Sequence, residues 1–160
     1  MFKNILVPYD GSKPADHALQ HAVNIAKSLV DIKPVVIALH VVAVFPNYHF
    51  VERPARSIRT GEKTTVSEYL KEVNELMERL AAEALSKKKE EIKKRDGFEI
   101  MTRIAFGHIV KTILSIAADE GADLIIIGNI GRSGMSKLKT LGSVSRGVTE
   151  QASCPVMIVH

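Results

Sequence analysis

Apolar residues fall in short runs separated by longer amphipathic stretches, and that alternation recurs along the chain. "FKNILVPYDG" opens with an apolar run closed by Pro8, Asp10 and Gly11, which predicts a buried strand followed by a turn. Ser12 is placed to cap a helix, with Pro14 in its first turn, where a missing N–H costs nothing. Behind that cap Ala15, Leu19, Ala22, Ala26 and Leu29 recur three or four apart and give the helix one apolar face. "PVVIALHVVAVF" then predicts a strand buried on both sides.

Residues 45–66 break the rhythm, with two prolines, one glycine and no sustained periodicity. They predict a loop longer than a compact domain needs, hence a lid, a binding segment or an insertion. Over 67–95, Leu70, Val73, Met77, Leu80 and Ala84 alternate spacings of three and four and predict one long amphipathic helix, stopped by Gly97. The last third repeats the opening. "FEIMTRIAFG" predicts a strand, "HIVKTILSIAADEG" a helix, "ADLIIIG" a strand, "SVSRGVTEQAS" a helix and "CPVMIVH" a final strand. This alternation implies a single α/β domain over 1–160: a doubly wound, five-stranded parallel sheet with helices on both faces. Ligands on such sheets bind beyond the carboxyl ends of the strands, where the strand order reverses.

Composition narrows the class. Apolar residues at 46% and charged residues at 25% are ordinary globular usage. No apolar stretch approaches the roughly 18 to 20 residues of a membrane span, and the N-terminal apolar segment is too short for a signal peptide, so the expectation is a cytoplasmic protein without membrane contact. The lone Cys154 fits a reducing compartment and reads as a structural thiol. "SKKKEEIKKRD" concentrates basic residues, but the same helix is acidic over 67–86, an arrangement that favours the helix dipole. Without a recognition motif, and with no Trp for stacking, nucleic acid is not an expected partner. His17 and His21 have helical ligand spacing but no third ligand, so a solvated helix face is the simpler reading. His40, inside an apolar strand, reads as a core histidine with a satisfied hydrogen bond, and His108 at a helix start as packing or capping.

The candidate chemistry lies in "GNIGRSGMSKLKTLGSVSRG" at 128–147, directly after the buried "DLIIIG". A polyphosphate needs approachable backbone N–H groups, a helix N-terminus aimed at it and positive charge nearby. Gly128, Gly131, Gly134 and Gly142 open the backbone, and Ser143 stands where the last helix begins. Arg132, Lys137, Lys139 and Arg146 are basic, and no acidic residue occurs between Asp123 and Glu150. Neither the Walker loop nor the dinucleotide fingerprint fits this stretch. A glycine-rich surface turn with solvated lysines is the alternative.

"NILVPYDGS", "ALHVV", "LIIIGNIGRSGMSKLKTLGSVS" and "CPVMIVH", in that order, resemble the universal stress protein family across the whole chain. Its nucleotide-binding branch carries Gly-x-x-Gly, nine residues, then Gly-Ser or Gly-Thr, on a fold like the adenine nucleotide alpha hydrolases. Carried over, Gly128 and Gly131 match the first pair, and Gly142 with Ser143 the second. Two features depart from the pattern: ten residues separate Gly131 from Gly142, and "NI" stands where Ser-His is common. The resemblance further implies that Asp10, beside Pro8, contacts the nucleoside. It puts Val41 and Ile127 against adenine, and Val144 and Ser145 with Ser143 at the phosphates. The cofactor it implies is ATP with Mg²⁺. It also implies a homodimer through strand 155–160, whose apolar edge nothing later in the chain covers.

Three functions stay open on these residues. One is an ATP-binding, nucleotide-dependent stress regulator with an unknown protein partner. Another is a dimeric interaction module with an empty loop. The third is a slow ATP hydrolase, disfavoured because 128–147 holds no Asp, Glu or His to act as a base.

Overall fold

A computed structural model describes residues 2–44, 52–131 and 141–160. Its central sheet has five strands, all parallel: β1 (Asn4–Pro8), β2 (Val35–Ala43), β5 (Met101–Gly107), β6 (Leu124–Gly128) and β7 (Val156–Val159). Their spatial order is β5-β2-β1-β6-β7. The chain therefore builds outward from β1 in one direction and returns to build in the other, so the order reverses between β1 and β6.

Period-two alternation divides the core between two faces. Ile5 and Val7 of β1 pack with Val36 and Ala38 of β2 beneath α1 (Lys13–Ser28) and α2 (Val66–Asp96). Leu6, Ile37 and Leu39 point the other way, toward α3 (Ile109–Asp119) and α4 (Ser143–Gln151). Helix α1 starts as its sequence predicts: the Ser12 hydroxyl accepts from the Ala15 N–H at 3.3 Å, and Ala15, Leu19, Ala22 and Ala26 are buried.

The 45–66 stretch departs from the loop prediction. Residues 45–51 lie outside the described part, but β3 (Pro54–Arg56) and β4 (Lys63–Thr65) form a small antiparallel hairpin, and α2 already begins at Val66. Glu72 staples this hairpin to α2, accepting from the Ser57 hydroxyl at 2.8 Å and the Ile58 N–H at 2.8 Å, and Arg59 pairs with Glu75. These two bonds and the nearby Arg59 charge outweigh the cost of desolvation and hold the Glu72 carboxyl below its ordinary range.

Helix α2 also buries a different face from the one its spacing suggested. Ala81, Leu85 and Ile92 enter the core, whereas Met77 and Leu80 are 49% and 48% exposed. The chosen residues follow a 3.5-residue period, while the buried ones follow the slightly longer period of a straight helix. Gly97, in the left-handed region at φ 63°, ends α2 where predicted.

Candidate nucleotide-binding cleft

A cleft of about 290 Å³ opens at the carboxyl ends of β1, β2 and β6, at the reversal of strand order. Pro8 and Asp10 reach it from the end of β1, Val41 from β2, Ile127 and Gly128 from β6, Gly131 from just beyond, and Gly142, Ser143, Val144 and Ser145 from the start of α4. The ten residues assigned to the nucleotide thus line one cavity, whereas Arg146 is exposed and is not among the lining residues. Gly134, Arg132, Lys137 and Lys139 lie outside the described residues.

Backbone crowding explains the glycines individually. A Cβ at Gly128 would stand 2.7 Å from Pro14 Cβ and 2.8 Å from the Pro14 carbonyl carbon, so the first turn of α1 packs directly on the end of β6. A Cβ at Gly131 would stand 2.8 Å from Asp10 Oδ2, which brings the end of β1 against the glycine stretch. Gly142 does something other than the sequence suggested. Its N–H donates to the Asn129 carbonyl at 2.8 Å, so this amide is already engaged within the fold.

The Ser145 hydroxyl is engaged as well: it is 2% exposed and lies 2.7 Å from the Asn129 carbonyl oxygen and 3.0 Å from that of Gly142. Among the described residues no side chain caps α4, whose next amides, on Ser143, Val144 and Ser145, have no intrahelical carbonyl to bond. An uncapped helix start facing a cavity is a ready anion site.

The sequence pattern of the universal stress protein family matches residues 1–160. The chain belongs to that family. Universal stress protein MJ0531 of Methanocaldococcus jannaschii is 36% identical over 159 residues, covering 99% of this chain and 82% of that protein. MJ0577 of the same organism is 35% identical over 163 aligned positions, covering 99% and 95%. A solved structure of MJ0577 superposes with a TM-score of 0.77 at 30% identity, over 99% of this chain and 96% of that one. A universal stress protein solved in complex with cAMP shares the fold at a TM-score of 0.58 and 22% identity, over 99% and 97%.

Within this universal stress protein the cleft lining has two chemically distinct parts. Leu39, Val41 and Ile127 from the sheet, with Ile109 and Ile113 from α3, form an apolar wall continuous with the core. The polar part of the lining includes the α4 amides and Asp10, the only carboxylate among the described lining residues. Asp10 Oδ1 accepts from the Ser12 N–H at 2.9 Å, an Asx turn that fixes the side chain over the first turn of α1.

Sequence reasoning missed Ile109, Ile113, Tyr9 and His40 in the lining. His40 is half-buried, and its Nδ1 donates to the Tyr9 carbonyl at 2.9 Å, so the expected hydrogen bond is present but the ring borders the cavity. The Tyr9 hydroxyl donates to Asp16 Oδ1 at 2.8 Å, and Lys88 of α2 pairs with the same oxygen at 3.0 Å. Burial, then the Asp16 bond and charge, push the Tyr9 phenol well above its ordinary range. His17 and His21 are exposed, and His108 occupies the N-cap of α3 without a side-chain cap bond. Among the described residues no group of three or more His, Cys, Asp or Glu is placed to hold a metal, and no helix is long and apolar enough to cross a membrane.

Proposed function

We propose that the cleft binds an adenine nucleotide, ATP with Mg²⁺, and that the protein works as a nucleotide-dependent regulator in a stress response, as a homodimer paired through 155–160. The observation that carries this reading is the meeting of an apolar wall, a carboxylate and a helix start whose first amides have no intrahelical acceptor in one cavity at the strand-order reversal. The base would lie against Val41, Ile127 and the α3 isoleucines, with Asp10 and Pro8 at the nucleoside. The phosphates would run along Gly128, Gly131 and Gly142 to the amides of Ser143, Val144 and Ser145.

The volume suits this arrangement. Small-molecule pockets span about 300–1,000 Å³, and a cavity at the lower end accommodates a nucleoside with its phosphates extending over the rim. The cAMP complex of a relative sharing the fold supports a nucleotide as occupant. Mg²⁺ dehydrates reluctantly and characteristically binds through substrate phosphates while keeping several waters. The metal would neutralise phosphate charge, with the phosphates as its main ligands.

Titration calorimetry with ATP and Mg²⁺ tests the reading. Saturable heat at one nucleotide per chain is expected, weakened about 10- to 100-fold by Asp10→Asn, the scale of a lost hydrogen bond to a charged group. One observation favours a second reading, the interaction module: the Gly142 amide is committed to Asn129. No heat at millimolar nucleotide would remove the first reading and favour that alternative.

A further inference from the structure

The peptide that joins Tyr9 to Asp10 is held by a side chain where the sheet stops holding it. Strands β1 and β2 pair in register up to Pro8 and Leu39, and the Tyr9 N–H continues the ladder by donating to the Leu39 carbonyl at 2.7 Å. At the Tyr9 carbonyl the partner becomes the imidazole of His40, with Nδ1 at 2.9 Å. Because a carbonyl can only accept, Nδ1 must carry the proton, which fixes the tautomer of the neutral ring and its orientation. The tyrosine is anchored on its far side too, through its hydroxyl to Asp16 and from there to Lys88.

Immediately downstream, the Asp10 carboxylate is held at Oδ1 by the Ser12 amide, and its Oδ2 faces Gly131. His40 thus sets the plane of the peptide that carries Asp10, and Ser12 sets the carboxylate at its tip. We propose that His40 is a positioning residue that presents the Asp10 carboxylate to the nucleotide, an inference that rests on Asp10 contacting the ligand as described above. Without the imidazole the Tyr9 carbonyl loses its partner, the Tyr9–Asp10 peptide can rotate, and the carboxylate spreads over orientations instead of one. Binding groups lose effect when their supporting contacts no longer hold them to within about 0.5 Å.

The test is a thermodynamic cycle by calorimetry with ATP and Mg²⁺, using wild type, Asp10→Asn, His40→Leu and the double variant, together with His40→Asn and His40→Gln. His40→Leu is expected to weaken binding roughly fivefold to tenfold, the scale of one net hydrogen bond. Asp10→Asn should then cost much less in the His40→Leu background than in wild type, because the two residues act through one contact. Asparagine places an amide N–H where Nδ1 stands and should restore affinity to within about twofold, whereas glutamine, whose amide lies farther out, should not. This polar pair keeps the test decisive if His40→Leu does not fold.

Additive losses in the cycle, or equal affinities for the Asn and Gln variants, would overturn the role of His40 while leaving nucleotide binding intact. A wild-type protein that does not bind would instead overturn the nucleotide reading, and this inference with it.

Discussion

Individual residues at the cleft divide into those that shape it and those that face into it, and glycines illustrate both. Gly128 is required by packing, since any Cβ there meets the Pro14 backbone. Gly128→Ala is therefore expected to destabilise the fold by about 1–3 kcal/mol, as overpacking does elsewhere, measured by denaturant unfolding. A Cβ at Gly131 meets only the end of the Asp10 side chain, so Gly131→Ala should leave stability nearly unchanged while displacing the carboxylate. The glycine pattern was visible in the sequence, yet spacing alone could not separate these two roles. The same holds for Gly142, whose amide looked available until its bond to Asn129 was located. Ile109 and Ile113 were invisible as site residues because an apolar residue in an open wall looks the same in sequence as one in a closed core.

At the scale of elements, local signals were read correctly where a cap and a period agreed. Ser12, Pro14 and the 15–19–22–26 spacing define α1, and Gly97 ends α2. The hairpin was not legible because three-residue strands are too short to show alternation. The face of α2 was misassigned because its apolar residues support two periods, and only packing against the sheet selects one. The hairpin staple yields a pH prediction. Glu72 has its folded pKa below the usual carboxyl value of about 4.3, so its contribution is complete above that value and lost as pH falls through the lower folded pKa. Acidification through that lowered folded pKa should release the Ile58 amide to solvent exchange while the central sheet stays protected, as followed by NMR. Glu72→Gln should produce the same local release at neutral pH, because it removes the charge and one acceptor. If the hairpin and the sheet lost protection together, the staple would not be a separate unit.

For the whole molecule, the alternation of strand and helix was enough to give the sheet and its parallel sense, and the strand-order reversal then located the cleft. At the margin of that sheet lies the open edge of β7, where Met157 is 38% exposed. Under the proposed dimer this edge pairs with its copy, so light scattering at micromolar concentration should give twice the chain mass. Met157→Asp would bring two carboxylates together near the two-fold axis and shift the protein toward the monomer. A monomeric wild type would remove the dimer from the proposal.

Asn129 accepts from the Gly142 amide and lies within hydrogen-bonding distance of the Ser145 hydroxyl, and its own N–H donates to Val159 in the outermost strand at 2.7 Å. The start of α4 and the sheet margin therefore converge on one residue. Should filling the cavity alter how tightly two chains associate, reciprocity requires that association alter the hold on the occupant by the same factor. Concentration would then act as a dial on affinity, with Asn129 as the point of transmission.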